Sequence, residues 1–395
     1  MVSLLVGVSN SQRHLSFGVA FAMLVLLPSG LATTSCGAQD AIQERAVKPV
    51  VKQADKAARR RSAQNGVTRT FAIDPRWEGC RFPDNAVYLK SPAEIAAVFS
   101  ETKDGKWPVA SYEKPTDDSL RIVGTGHSFM APGYQTLPSI AKAAGLKQPT
   151  PITHTGGGMT GSARYKWEQE NGIFQFDGKP KPILLNAIAN AKWDAMMWGP
   201  YYNDREEYYS CWIDFCLKYN PDMKFYLSDA WPQLEQLSSK PSSESQLTGQ
   251  VMQKLHQEKR ATFLKHFNQL RQRYEDRIFV LPTSQAMVIA VDYFHRSELP
   301  GVEGIHKVVG GKERSLWRDQ LGHLGRGMES LEGYVFYATL YGRSPELIED
   351  SLAKPGSYPS PELDRVFRKI AWEAAITDPL SGVVDKDGDK IADDK

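Results

Sequence analysis

Short apolar runs alternate with longer stretches of helical periodicity along residues 71–378. Apolar runs bounded by turn residues are typical of strands that are buried on both faces of a parallel sheet. The runs are residues 120–124, 151–154, 195–198, 224–227 and 277–281. The helical stretches are residues 135–144, 205–219, 250–274, 286–296, 327–341 and 361–375. This alternation predicts an α/β fold, a three-layer α/β/α sandwich with a central parallel sheet of about five strands.

The N-terminal segment has the pattern of a secretory signal. Two basic residues at positions 13–14 precede an apolar run over residues 16–27, and small residues follow. The run is shorter than the ~18 to 20 residues needed to span a bilayer. We therefore expect residues 1–38 to be a signal peptide and the mature protein to be exported, periplasmic or extracellular, with no stable membrane span. An uncleaved anchor and a lipid on Cys36 are weaker alternatives.

Composition and charge limit the partners of the chain. The sequence has 395 residues, 41% of them hydrophobic, which is enough for one substantial core. Its 48 basic and 46 acidic residues leave a net charge of +2, so no nucleic-acid or anionic-lipid partner is expected. Residues 39–70 are basic and alanine-rich and are predicted to be a disordered linker, whereas residues 379–395 form an acidic tail.

Chemistry-bearing residues follow the predicted strands. In an open α/β sheet, ligands bind beyond the carboxyl ends of the strands. Ser128 lies there in a turn before a helix, whose N-terminal N–H groups can stabilise an oxyanion. Gly158 ends a glycine-rich segment after the second strand, and Asn203 follows the third. Asp319 and His323 supply a carboxylate and an imidazole ahead of a late helix.

These segments, in this order, resemble the sequence blocks of the SGNH (GDSL-like) hydrolases. The resemblance runs over about residues 121–345. It implies a flavodoxin-like α/β/α fold and a serine esterase that needs no cofactor for catalysis. It also implies a triad of Ser128, His323 and Asp319, and an oxyanion hole made by Ser128 and Gly158 together with the Asn203 side chain.

Three departures from the family pattern leave alternatives open. His127 stands where the family has an aspartate, and the segment from glycine to Asn203 in the third block is longer than usual. Three residues instead of two separate Asp319 from His323. A carbohydrate-binding protein with the same fold but a decayed triad is therefore the alternative function. Asp292 and His295 have the family spacing and are the alternative base pair. An α/β-hydrolase is disfavoured, because its Gly-x-Ser-x-Gly elbow needs a glycine where Met130 stands.

The substrate is expected to be a small-molecule or carbohydrate ester. Several aromatic residues lie near the strand ends, and core packing is the expectation for most of them. An exposed subset would suit stacking on a sugar ring. The residues concerned are Trp198, Tyr201, Tyr202 and Trp231.

The acidic tail carries a pattern that resembles the calcium loops of thrombospondin type 3 and dockerin-like repeats. Clustered carboxylate oxygens alternate around Gly388, and calcium favours such ligands. The candidate ligands are Asp385, Asp387, Asp389 and Asp393. A disordered acidic tail is the alternative.

The cysteines give no metal signature. Loss of Cys36 with the signal would leave Cys80, Cys211 and Cys216, which allow one disulfide at most. Buried apolar thiols are the preferred interpretation of the last two.

Overall fold

The apolar runs of the sequence form one parallel five-stranded sheet in the computed structural model. Its strands are β1 (Ile122–Gly126), β2 (Ile152–Thr155), β3 (Ala195–Trp198), β4 (Lys224–Ser228) and β5 (Ile278–Leu281). The strand order is β2-β1-β3-β4-β5, and every neighbouring pair is parallel. The chain therefore reverses its direction of winding between β1 and β3, and such a switch point opens a crevice at the carboxyl ends of the strands.

The structure describes residues 115–155, 184, 187–188, 191–199, 207–229 and 231–393. At positions 154, 155, 207, 208 and 211 it describes the backbone only. The predictions for residues 1–38 and 39–70 concern residues outside these ranges. No helix in the described ranges is long and apolar enough to cross a membrane.

Helices connect the strands and cover both faces of the sheet. They are α1 (Ala131–Ala143), α2 (Glu207–Tyr219), α3 (Gly249–Tyr274), α4 (Thr283–His295), α5 (Lys307–Gly310), α6 (Glu329–Tyr341) and α7 (Pro361–Thr377). Local chemistry sets several of their ends. The hydroxyl of Ser360 accepts the Leu363 N–H at 3.3 Å to cap α7, and Gly342 ends α6 with φ of 61°.

Successive strand residues point to opposite cores, as the two-residue period of a strand requires. Ile122, Met197 and Tyr226 pack with α1, α4 and α6, and α7 covers α4 and α6 from outside. Val123, Met196 and Phe225 pack with α2 and the second half of α3. The sheet therefore lies between two helical layers, which confirms the predicted fold class.

A buried acid joins α1 to α6. Glu332 is fully buried, and its Oε2 accepts the backbone N–H of Gly133 in the first turn of α1 at 2.7 Å. Its other oxygen, Oε1, has no hydrogen-bond partner among the described residues. Burial raises the pKa of Glu332 well above its ordinary value, although the Gly133 N–H opposes the shift.

Short elements not predicted from the sequence lie between α4 and α6. Strands β6 (Gly304–His306) and β7 (Ser315–Trp317) form a two-stranded parallel sheet. Trp317 then pairs in antiparallel fashion with Leu324. This arrangement fixes both ends of the loop that carries Asp319 and His323.

The acidic C-terminal segment is packed on the fold up to Asp393. Val383 is buried against Ala338, Trp372 and Ala375 of α6 and α7. The backbone around Gly342 pairs with this segment, since the Ala392 N–H donates to the Gly342 carbonyl at 2.7 Å. The alternative of a disordered tail therefore does not apply to the described residues, because these apolar and backbone contacts hold them.

Cys216 is buried in the core, and its thiol donates to the Met196 sulfur at 3.5 Å, as the apolar interpretation predicted. The side chains of the other cysteines lie outside the described residues.

Candidate active site

The turn after β1 presents Ser128 to solvent. Strand β1 ends at Gly126 with φ of 133°, and a Cβ at this position would lie 2.8 Å from the backbone nitrogen of Gly199. Only glycine suits both the backbone angle and the close approach of β3. The next turn closes when the Met130 N–H donates to the His127 carbonyl at 3.1 Å, and it leaves Ser128 exposed immediately before α1.

The loop between β7 and α6 carries Asp319 and His323 in a tight turn. The Arg318 N–H donates to the His323 carbonyl at 2.9 Å, and the Gly322 N–H donates to the Asp319 carbonyl at 3.0 Å. Gly322 has φ of 90°, which a residue with a side chain rarely adopts. The turn therefore accommodates the longer spacer between the carboxylate and the imidazole.

Ser128, His323 and Asp319 form a continuous chain of contacts. The Oγ of Ser128 lies 2.6 Å from Nε2 of His323, and the Nδ1 of His323 lies 2.8 Å from Oδ2 of Asp319. When Asp319 accepts a hydrogen bond from Nδ1–H, Nε2 is left as the acceptor for the serine hydroxyl. This geometry is that of an activated nucleophile with an oriented base.

The electrostatics of Asp319 favour its ionised form. Burial raises the pKa of this carboxyl, but the His323 N–H, the His323 ring and the Arg318 guanidinium together lower it below the ordinary value. The Nε of Arg318 lies 3.6 Å from Oδ2 of Asp319. A negative charge is therefore held at the position where it stabilises a protonated imidazole.

An aromatic stack supports the imidazole. The ring of Phe129 lies parallel to that of His323, with centroids 4.4 Å apart and an interplanar angle of 18°. On Phe129 the indole of Trp231 stacks in turn, at 5.3 Å and 23°. Phe129 is not among the residues predicted from the sequence, where its position next to Ser128 is the only signal for it.

The other candidate residues near Ser128 have different surroundings. His127 is buried, and its ring lies against Gly199 at the end of β3, where an added Cβ would be 3.1 Å from Nε2. Trp198 and Trp231 are 1% and 7% exposed, so both are buried as expected for most of these aromatic residues, and neither belongs to an exposed subset that could stack on a sugar. Tyr201 and Tyr202 lie outside the described residues.

The alternative base pair lies elsewhere in the fold. The Nε2 of His295 is 3.1 Å from the Leu247 carbonyl oxygen, at the C-terminal end of α4. The carboxylate of Asp292 lies beside Gly249 at the start of α3. The structure therefore brings His323, not His295, into contact with Ser128.

The predicted oxyanion hole is described only in part. Ser128 lies two residues before Met130, the N-cap of α1, and its role as an oxyanion donor stays a prediction. Gly158 and Asn203 lie outside the described residues.

A second serine, histidine and aspartate cluster is entirely buried. The Oγ of Ser284 lies 2.8 Å from Nδ1 of His256, and Nε2 of His256 lies 4.0 Å from Asp229. The carboxylate of Asp229 accepts the backbone N–H groups of Ser284 and Gln285 at 2.6 and 3.1 Å. All three members are at most 1% exposed, so the cluster caps α4 and is closed to substrate.

The C-terminal segment brings three carboxylates together. Ligand atoms of Asp385, Asp387 and Asp389 lie within 4.8 Å of one another. The carboxylate of Asp393 instead accepts the Lys386 N–H at 2.8 Å. Each of the three also accepts a backbone N–H group of its own loop, and calcium binding stays a prediction.

No protein-family model matches the sequence, and no curated protein matches it. Among solved structures, the chain is similar to a DUF4886 family protein from Bacteroides uniformis, with 12% identity and a TM-score of 0.41. That alignment covers 66% of this chain and 96% of the other. It is also similar to the C-terminal catalytic domain of peptidoglycan O-acetyltransferase A from Streptococcus pneumoniae, with a methylsulfonyl adduct. That match has 10% identity and a TM-score of 0.27, and it covers 66% of this chain and 94% of the other. At these scores the likeness establishes neither family membership nor activity.

Proposed function

We propose that this protein is an exported serine esterase of the SGNH type, with Ser128 as nucleophile, His323 as general base and acid, and Asp319 as the residue that orients the imidazole. The observation that carries the proposal is the unbroken chain from Ser128 Oγ to His323 Nε2 at 2.6 Å and from His323 Nδ1 to Asp319 at 2.8 Å. Both contacts lie within the reach that proton transfer requires.

The reaction would have two halves. Ser128 Oγ attacks the carbonyl carbon of the ester while its proton passes to Nε2 of His323. The oxyanion collapses, the ester C–O bond breaks, and the departing alcohol takes the proton from His323. Water then attacks the acyl-serine in the same way, which yields the carboxylic acid and restores the hydroxyl of Ser128.

The developing oxyanion would be held by N–H donors. The backbone N–H of Ser128 lies in the turn just before α1, and the dipole of α1 favours negative charge near its N-terminal end. We include Gly158 and the Asn203 side chain as the remaining donors on the sequence resemblance alone. Removal of one such donor typically lowers the rate by ~10² to 10³.

Exposure of the nucleophile favours hydrolysis. Ser128 is exposed, and the Asp319 side chain is 39% exposed, so water can reach an acyl group on Ser128. A small-molecule ester or an acylated carbohydrate in the periplasm or outside the cell is the proposed substrate class. No cofactor takes part in the proposed catalysis.

The alternative function, a binding protein with a decayed triad, has less support. Such a protein has no reason to hold a serine, an imidazole and a carboxylate at hydrogen-bonding distance. Trp198 and Trp231 are also buried, so they cannot form an aromatic surface for a bound sugar.

Labelling with a fluorophosphonate probe, together with hydrolysis of short acyl esters, tests the proposal. We expect the wild type to be labelled and to turn over esters, and Ser128→Ala to do neither. Ser284→Ala is the matched control, since Ser284 also contacts a histidine but is buried, and it should keep full labelling. Equal labelling of the wild type and Ser128→Ala would refute the assignment.

A further inference from the structure

Phe129 is the residue of the active-site turn whose role the triad leaves unexplained. It follows Ser128 directly, and its side chain is only partly exposed. One face of its ring meets the imidazole of His323 at 4.4 Å, and the stacking continues to Trp231 at 5.3 Å. The two small interplanar angles, 18° and 23°, make this a three-ring stack and not a chance edge contact.

The stack restricts a tilt of the His323 ring that its two hydrogen bonds restrain only weakly. Asp319 and Ser128 contact the two nitrogens of the imidazole, which lie near one line through the ring. Contacts along such a line resist translation, but they resist only weakly a tilt of the ring about that line within the range that the side-chain torsions allow. A flat surface against one face of the ring restricts that tilt, and Phe129 supplies it.

Trp231 anchors this surface from a different element. It lies in the loop after β4, and its side chain is buried in the main core. The same loop contacts the turn of the base, since the side-chain amide of Gln233 donates to the Leu321 carbonyl at 3.4 Å. The position of Phe129 is therefore set by the core, not by the exposed turn alone.

We infer that Phe129 is a positioning residue that holds the plane of the His323 imidazole between Ser128 and Asp319, with Trp231 as its support. This inference rests on the proposed function for its kinetic consequence only. The aromatic face also stabilises the imidazolium formed during proton transfer, because a cation is attracted to the face of an aromatic ring.

Phe129→Leu removes the flat surface and keeps an apolar side chain of similar bulk. We expect kcat for a short acyl ester to fall about three- to tenfold, the size of a lost aromatic pair, while KM stays within about twofold. Phe129→Tyr keeps the ring and should restore kcat. Phe294→Leu is the matched control, because Phe294 packs edge-on against His295 at 5.9 Å and 72°, and it should leave kcat unchanged.

A proton NMR measurement separates this inference from the proposed function. The Nδ1–H of His323, bound to Asp319, should give a sharp low-field resonance that is absent in His323→Ala. We expect Phe129→Leu to broaden this signal and Phe129→Tyr to keep it, whether or not the protein turns over any ester.

An unlabelled, inactive wild type would refute the esterase and leave the NMR result to decide the role of Phe129. An unchanged resonance in Phe129→Leu, or a broadened one with unchanged kcat in an active enzyme, would overturn the inference. Thermal melting of each variant identifies a loss of signal that comes from unfolding, and Trp231→Phe then tests the same stack from its buried end, with a smaller broadening expected.

Discussion

The carboxylate of Asp319 binds His323 twice, through the ring and through the backbone. Its Oδ2 lies 2.8 Å from Nδ1 of the imidazole, and its Oδ1 accepts the His323 N–H at 3.2 Å. Oδ1 also accepts the Leu321 N–H at 3.1 Å. One side chain therefore shapes the turn and orients the ring that the turn presents.

Asp319→Asn should separate these two functions. The amide oxygen can still accept the backbone N–H groups, so we expect the fold to persist with a melting temperature close to that of the wild type. The amide cannot stabilise an imidazolium and favours the wrong tautomer, so kcat should fall by ~10² to 10⁴. Arg318→Ala is the control, since it removes a neighbouring charge without touching the ring, and we expect a drop of less than about tenfold. A fully active Asp319→Asn protein would contradict the role of Asp319.

We expect His323→Ala and His295→Ala to have opposite effects on ester turnover. His323→Ala removes the base that contacts Ser128 and should abolish ester turnover while leaving the protein folded. His295→Ala removes a side chain that contacts the Leu247 carbonyl, so it should keep most of the activity. Initial rates together with far-UV circular dichroism measure both expectations. Normal turnover by a folded His323→Ala protein would transfer the assignment to another base.

Gly126→Ala should damage the active site through the backbone. A Cβ there would lie 2.8 Å from the Gly199 nitrogen, and the φ of 133° is unfavourable for alanine. We expect a loss of about 1–3 kcal/mol in the free energy of unfolding and strongly reduced fluorophosphonate labelling. Gly145→Ala is the matched control, because Gly145 has φ of 81° but nothing within 4 Å of the added Cβ. It should lose about 1 kcal/mol from backbone strain and keep its labelling. Equal loss of labelling in both variants would show that the contact with Gly199 is unimportant.

Glu332→Gln should change how stability depends on pH. Burial raises the pKa of Glu332 in the folded state, so the folded protein holds a proton that the unfolded chain releases above the ordinary carboxyl value. The stability contributed by this proton is complete below the pKa of the unfolded chain and is lost as the pH rises toward the folded value. Between the unfolded and the folded pKa, the free energy of unfolding falls by about 1.4 kcal/mol per pH unit for one such group.

Urea unfolding at pH 5 and pH 8 provides the measurement for Glu332. The wild type should lose more stability across this range than Glu332→Gln, whose side chain does not titrate. Glu329→Gln, on the same helix but only partly buried, removes only the smallest of the contributions that shift the pKa of Glu332 and should keep most of the pH dependence of the wild type. Parallel curves for the wild type and Glu332→Gln would mean that Glu332 does not hold the extra proton.

The strands of the sheet and the contact of His323 with Ser128 could be predicted from the sequence. The aromatic stack that holds the His323 imidazole could not. Each strand of the sheet is a local apolar run, and the carboxyl ends of parallel strands meet at one edge, so Ser128, which follows the first run, is predicted to lie at a site. His323 follows none of the five runs, and its pairing with Ser128 is predicted only by the resemblance to the SGNH sequence blocks. The stack of Phe129 on Trp231 has no such local signal, because it joins two loops through side-chain faces. The strands β6 and β7 have three residues each, too few for a periodicity to be visible.

The hydrogen bond between Ser128 and His323 joins positions 195 residues apart in the chain. Closing so long a loop has an entropic cost that is recovered only when the intervening sheet and helices have assembled. The rate at which an activity probe labels Ser128 would therefore report when the contact with His323 forms during refolding, because a partly folded chain has the serine but lacks its base. Labelling kinetics after dilution from denaturant would time the arrival of the β7–α6 loop at the end of β1, against the recovery of helical signal.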